Sequence, residues 1–301
     1  VIDALNLENI VKTYGDRRVV DGVSLDVHEG EIFGLVGPNG SGKTTTIRMA
    51  LDIIRPDSGI VALFGKPPSR DSLARIGYLP EERGLFQRSK VTQILTYLGR
   101  LKRMDSSSAL ARADELLTRV GLYEHRDKKV SALSRGMSQL VQFAGALIHK
   151  PELIILDEPF SGLDPLNVQL MKEMIREQRE SGASIIFSTH QMTDVEELCE
   201  RVLLINDGNV LLYGNLAEIK HARGTHNVRI VADREPASVP GVVKAESTNG
   251  YYEYAVSETS RPEQVIRAFL DADIHVERYE VVLPTLNEIF IDEVSRARHS
   301  E

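Results

Sequence analysis

Gly37-Pro38-Asn39-Gly40-Ser41-Gly42-Lys43-Thr44-Thr45 is the stretch on which the reading of this chain turns. It follows a short apolar run, Ile32-Phe33-Gly34-Leu35-Val36, and opens a helical pattern near Lys43 that runs through Ile47 to Ile54. A strand, a glycine-rich loop and a helix in that order make a cradle for phosphate groups. Gly37, Gly40 and Gly42 let the backbone turn tightly and aim several N–H groups at one point. Pro38, Asn39, Ser41 and Thr45 complete the loop, and the helix start adds the positive end of its dipole. Lys43 brings a point charge for the β- and γ-phosphates, and the Thr44 hydroxyl is placed to hold Mg²⁺.

Upstream, residues 3 to 36 alternate as half-buried strands do: Leu5 and Leu7, then Val23, Leu25 and Val27, with turns at Asp16-Arg17-Arg18 and His28-Glu29-Gly30. Tyr14 falls near the end of the first strand, where an aromatic either packs on the sheet or stacks on a nucleotide base. Downstream, Arg55-Pro56-Asp57-Ser58-Gly59 is a turn and Ile60 to Phe64 a strand. Arg75 to Leu79 is another strand, ending at Pro80-Glu81-Glu82. From about residue 87 to 150 the pattern becomes helical. Val91, Ile94, Leu95, Leu98 and Leu101 recur at helical spacing, as do Leu110, Ala113, Leu117 and Val120, stopped by Gly121. A helical block inside an α/β pattern reads as an inserted subdomain. It closes with Leu133-Ser134-Arg135-Gly136-Met137, ahead of an apolar helix face of Leu140, Phe143, Ala144, Leu147 and Ile148. Ser134 stands where an N-cap belongs, and a Ser and a Gly at a helix start also suit an anion.

Leu153-Ile154-Ile155-Leu156 is a continuous apolar run, as in a strand buried on both faces, and it ends in Asp157-Glu158-Pro159. Two carboxylates at the end of a buried strand are costly unless something there wants negative charge. Behind a phosphate loop that something is Mg²⁺ and a nucleophilic water. Next, Asp164 is an N-cap with Pro165 at the first helical position, and the helix runs to about Arg179. The strand Ala183 to Ser188 delivers Thr189-His190 at its C-terminal end, where open parallel sheets bind ligands. Val202 to Ile205 and Val210 to Tyr213 flank Asn206-Asp207-Gly208-Asn209, a hairpin signature. From about Thr225 the pattern restarts: strands at Val228–Val231, Val242–Glu246, Tyr251–Val256 and Val276–Leu283, a turn at Asn249-Gly250, and helices at Pro262–Leu270 and Leu286–Val294.

The whole chain, 301 residues with 36 Lys+Arg against 44 Asp+Glu, carries a net charge of −8. That balance argues against a nucleic-acid partner. No stretch approaches the ~20 apolar residues of a bilayer span, and the start has no signal-peptide apolar region. A membrane role is therefore expected to be peripheral, through a partner. Cys199, the single cysteine, cannot form an internal disulfide and suits a reducing compartment. Together with Met192, Val195 and Leu198 it reads as a buried structural thiol. The histidines lack metal-ligand spacing.

With these residues in view, the chain over 1 to about 220 resembles the ATP-binding subunit of an ABC transporter. Gly37 to Thr45 matches the Walker A loop, Tyr14 the aromatic that stacks on adenine, and Leu133 to Met137 the signature usually written LSGGQ. Leu153 to Glu158 matches Walker B with its catalytic carboxylate, Ser161 to Asp164 the D-loop, and His190 the switch histidine. Two departures stand out: Glu81 occupies the Q-loop position, normally glutamine, and Arg135 and Met137 replace Gly and Gln of the signature. The C-terminal segment, with Leu283-Pro284-Thr285-Leu286-Asn287-Glu288-Ile289-Phe290, is similar to a domain appended to ATPases of the bacterial type-2 export branch.

The resemblance implies an α/β fold: a P-loop, RecA-like core with an N-terminal antiparallel β subdomain and the helical insertion, spanning 1–224, then a small α+β domain over 225–301. It implies an Mg²⁺-dependent ATP hydrolase that pairs head to tail with a second ATPase subunit and drives a separate polytopic permease from the cytoplasmic side of the membrane. In that scheme Lys43 and the loop amides hold the triphosphate, Thr44 and Asp157 hold Mg²⁺, and Glu158 is the base. His190 and the partner's Ser134 and Gly136 complete the site around the γ-phosphate, next to the Asp164 of the D-loop. The rival readings are an ABC ATPase outside transport, or a nucleotide switch without turnover.

Overall fold

The structure, a computed structural model, describes residues 3–82, 84–223, 227–248, 251–256 and 261–299. Two compact units divide between Gly214 and Asn215. This lies ahead of the boundary expected after residue 224, because the helix that follows Asn215 belongs with the C-terminal unit.

In the first unit, β1 (Leu5–Tyr14), β2 (Arg17–Val27) and β4 (Ser58–Leu63) form an antiparallel sheet in the order β2-β1-β4. Leu5 pairs with Val27 and Leu63, and Leu7 with Leu25 and Val61, so one face is continuously apolar. Between these strands come β3 (Ile32–Val36) and α1 (Lys43–Ala50). Helix α1 is shorter than expected. Asp52 adopts a left-handed φ of 54° and the Ile53 and Ile54 amides turn back onto the Arg48 carbonyl, ending the helix within an apolar pattern that continues.

Next in the chain are α2 (Arg70–Ala74), β5 (Ile76–Leu79), α3 (Val91–Leu101), α4 (Ser106–Arg119), α5 (Arg135–Leu147), β6 (Leu153–Asp157), α6 (Pro165–Glu180), β7 (Ser184–Thr189), α7 (Met192–Leu198), β8 (Arg201–Asn206) and β9 (Asn209–Asn215). The six-stranded sheet runs β5-β6-β7-β3-β8-β9, with β5, β6, β7, β3 and β8 parallel to one another. Its central strands β3, β6 and β7 are buried throughout, which is why their sequences are nearly all apolar. One core joins the two sheets: Leu7, Ile10 and Val23 pack with Phe33, Leu35, Ile47, Met49, Ile155 and Leu203. Helices α3, α4 and α5 form the insertion. Asp105 caps α4 through the Ser107 and Ser108 amides, at 3.0 and 2.9 Å. Cys199 follows α7 and is buried against β3, where a Cβ on Gly34 would lie 3.1 Å from its sulfur. Burial pushes this thiol up, away from reactivity.

The C-terminal unit contains α8 (Leu216–Ala222), β10 (Asn227–Ala232), β11 (Val242–Thr248), β12 (Tyr251–Val256), α9 (Glu263–Asp271), β13 (Val276–Val282) and α10 (Leu286–His299). Its antiparallel sheet has the order β11-β12-β10-β13. Val228, Ile230, Tyr254, Val256, Val265, Phe269 and Ile274 make its core. The expected turn at Asn249-Gly250 lies outside the described residues. Helix α10 runs past Val294, started by a reciprocal cap in which Thr285 Oγ1 accepts from the Glu288 amide and Glu288 accepts from the Thr285 amide, at 3.2 and 2.7 Å.

Candidate nucleotide site

Strand register brings four strand ends to one edge. Val36 pairs with Thr189, Asp157 with Ser188, and Leu79 with Leu156. The segments that leave β3, β5, β6 and β7 are therefore neighbours. A cavity of about 290 Å³ opens there, lined by Asn39, Gly40, Gly42, Lys43, Thr44, Thr45, Glu81 and Glu158. A larger groove of about 820 Å³ lies elsewhere, between α4, α6 and the turn before β6. Its walls carry ion pairs with one another, Arg112 with Glu115 and Arg119 with Glu177, and at Glu152 and Ala183 it adjoins the starts of β6 and β7, not the C-terminal strand ends.

The glycines of the loop are dictated by space as well as by conformation. A Cβ on Gly37 would sit 2.1 Å from the Ile205 carbonyl oxygen. At Gly42, φ is 111° and a Cβ would meet the Val19 carbonyl at 2.6 Å. Gly42 is also the N-cap of α1, whose first turn has no acidic residue and no side-chain cap, so its leading amides stay open for an anion. Lys43 is buried, its Nζ donating to the carbonyls of Gly37 and Pro38 at 2.7 and 3.1 Å and lying 3.9 Å from Glu158. Burial pushes this ammonium down, while Glu158, Asp157 and Glu81 act in the opposite sense.

Asp157 is wholly buried. Burial raises its carboxyl, partly offset by the hydroxyls of Ser188 and Thr44. Ser188 Oγ donates to one carboxylate oxygen, while Oδ2 is buried without a partner among the described residues. Ser41 Oγ, on the loop itself, is likewise buried and unpaired. An orphaned carboxylate oxygen beside a threonine hydroxyl is a donor set that fits a hard divalent cation. Glu158 follows with a left-handed φ of 48°, a strained conformation for a non-glycine residue. His190 Nδ1 bonds to its Oε1 at 2.9 Å, and Thr189 Oγ1 donates to its Oε2 at 3.4 Å. The bend at Glu158 thus aims a carboxylate from β6 at the head of α1.

Ser134, Gly136 and Asp164 gather at a second place. Ser134 caps α5 by accepting from the Met137 amide at 3.2 Å, and its exposed hydroxyl is at the helix start. Asp164 caps α6, accepting from the Leu166 and Asn167 amides, each at 3.1 Å. A Cβ on Gly136 would lie 3.5 Å from Leu163, and one on Gly162 only 2.8 Å from Arg135, so the two segments are packed together. None of them lines the cavity around Lys43. Tyr14, half exposed at the end of β1, also stands outside that lining, with the Lys12 ammonium 5.8 Å from its ring centroid.

Two residues that sequence reasoning passed over connect these places. Gln139 and Gln142 are buried on the apolar face of α5. Gln139 donates to the Pro159 carbonyl at 2.9 Å, just beyond Glu158, and Gln142 donates to the carbonyls of Pro80 and Glu82, both at 3.2 Å, on either side of Glu81. The available signal was two amides at i and i+3 among apolar positions, since such groups need a buried partner.

Residues 20–161 match the ABC transporter family, and residues 214–294 match the C-terminal domain of ATP-binding proteins like DrrA1-3. An uncharacterized ABC transporter ATP-binding protein of Bacillus subtilis, YhaQ, is 41% identical over 293 residues, covering 96% of this chain and 98% of that protein. The daunorubicin resistance ATP-binding protein DrrA3 of Streptomyces coeruleorubidus is 32% identical over 300 residues, covering 96% and 95%. A solved ATP-binding subunit of an ABC transporter superposes with a TM-score of 0.69 at 28% identity, over 73% of this chain and 92% of that one. With its site at the ends of β3, β5, β6 and β7, the chain belongs to the family of ABC transporter ATP-binding subunits.

Proposed function

We propose that this chain binds and hydrolyses ATP to power an exporter, working on the cytoplasmic face of a membrane through a separate polytopic permease. The observation that carries the reading is Glu158, held by His190 at 2.9 Å and standing 3.9 Å from Lys43. Lys43 and the amides of the Gly37–Thr45 loop take the triphosphate. Thr44 and Asp157 hold Mg²⁺, which neutralises phosphate charge when bound. Glu158 accepts a proton from the attacking water, and His190 keeps the carboxylate oriented. Ser134 and Gly136, remote from the cavity of their own chain, serve the ATP of a facing copy or a related subunit, with Asp164 shaping the D-loop between them. Tyr14 stacks on the adenine. Export is supported by the name of DrrA3, a drug-resistance protein. No helix among the described residues is long and apolar enough to cross a membrane, which agrees with a separate permease.

The test is phosphate release from Mg·ATP by the full chain, alone and with the membrane protein that co-purifies with it. Turnover that rises with that protein is expected. Binding without any turnover in either setting would refute hydrolysis and favour a switch.

A further inference from the structure

Helix α7 begins two residues after His190 and is only seven residues long. Among the described residues no side chain caps its start, and a helix this short does not hold its shape unaided. Its face toward α6 carries Asp194 and Glu197, one turn apart, and both converge on Lys172 of α6. Lys172 Nζ lies 2.7 Å from Asp194 and 2.5 Å from Glu197. Arg176, one turn along α6, takes the other oxygen of Glu197 at 2.6 Å. Lys172 and Asp194 are both buried. Burial acts to lower the Lys172 ammonium, but hydrogen bonds and charge from the two carboxylates hold it above the ordinary lysine value. The same ammonium sits 5.5 Å from the ring centroid of Phe160, two residues beyond Glu158, and that ring packs on Phe187 of β7 at 5.3 Å between centroids. One buried cation therefore meets both chain segments that deliver the Glu158–His190 pair.

From this geometry we infer that Lys172 is a positioning residue for hydrolysis: by holding α7 and Phe160 in place, it sets the contact between His190 and Glu158. The inference rests on the hydrolytic reading above. Lys172 does not line the cavity around Lys43, so its effect on turnover passes through His190. Removing the ammonium leaves Asp194 a buried carboxylate without its cation, which is strongly unfavourable. Helix α7 relieves that by tilting toward water, and His190, two residues upstream, moves with it. A misplacement of about an ångström at a catalytic group costs up to about a hundredfold in rate.

The experiment measures kcat and Mg·ATP Kd of the full chain in a double-variant cycle of Lys172→Met and His190→Ala. Methionine keeps an apolar stem of similar length and removes the ammonium. Lys172→Met should lower kcat by about tenfold at unchanged Kd. In the His190→Ala background it should lower kcat no further, because the group it positions is already gone. A role in stability alone would give the same factor in both backgrounds, and that result overturns the inference. Wild-type kcat in Lys172→Met overturns it as well. Asp194→Asn keeps the shape of the partner and removes its charge; it should lower kcat in the same His190-dependent way, and it decides the matter if Lys172→Met does not fold. A wild type that binds Mg·ATP without turnover would instead refute the hydrolytic reading itself.

Discussion

Glu158→Gln separates geometry from proton transfer at this site. The amide oxygen can still accept from His190 Nδ1 across the 2.9 Å contact, so the side chain keeps its place. What is lost is the basic oxygen and the negative charge 3.9 Å from Lys43. Losing a general base lowers turnover by about 10²- to 10⁴-fold, equivalent to about 3–5 kcal/mol of barrier. Binding moves the other way. The phosphates lose a repelling neighbour, so Mg·ATP affinity should hold or improve. The assay pairs steady-state phosphate release with nucleotide titration on the same preparation. Turnover within a few-fold of wild type would remove Glu158 from its role. Loss of ATP affinity together with turnover would show that the carboxylate positions Lys43 and does not activate water.

Other consequences are independent of that variant. His190→Ala removes a charge-assisted bond of about 1.5–3 kcal/mol, so kcat should fall by about 10- to 100-fold at unchanged Mg·ATP Kd; a change confined to Kd would contradict the orienting role. Gln142→Ala leaves the Pro80 and Glu82 carbonyls without their partner and should cost about 1–3 kcal/mol in urea unfolding; an unaltered midpoint would mean that α5 does not anchor this turn. His149 is half-buried with its Nε2 on the Ile76 carbonyl at 3.1 Å, and burial together with the Lys102 charge lowers it to about 4. The unfolded chain then binds the extra proton between the ordinary histidine range and that value, so this residue's contribution to stability falls as pH drops through the window. His149→Asn should flatten that part of the stability profile, and an unchanged slope would assign the acid sensitivity elsewhere.

The site was legible where chemistry is written locally. The strand-loop-helix order around Lys43, the apolar run ending in Asp157-Glu158, and Thr189-His190 each carry their own position, and β-sheet register then brings them together. Caps were equally readable: Ser134 and Asp164 accept from the amides expected of N-caps. What escaped the sequence depends on contacts between distant segments. Gln139 and Gln142 look like ordinary helix residues until the Pro80–Glu82 turn and Pro159 are packed against α5. Helix α2 is only five residues long, and its Ser69/Ser72 capping box lacks the usual Glu or Gln. The end of α1 was hidden because Ile53 and Ile54 continue the apolar pattern past the turn at Asp52, leaving Ile53 exposed. The segment of α8 received no assignment from its sequence, and it groups with the C-terminal unit.

Equilibrium titration of the wild-type chain and Lys43→Ala with Mg·ATP tests the central claim most directly, because Lys43 is the buried cation of the loop. The account predicts saturable binding by the wild type and a loss of at least about tenfold in the variant, from removing a charge-assisted contact to phosphate. No saturable binding by the wild type, or equal affinity in the two proteins, would contradict it.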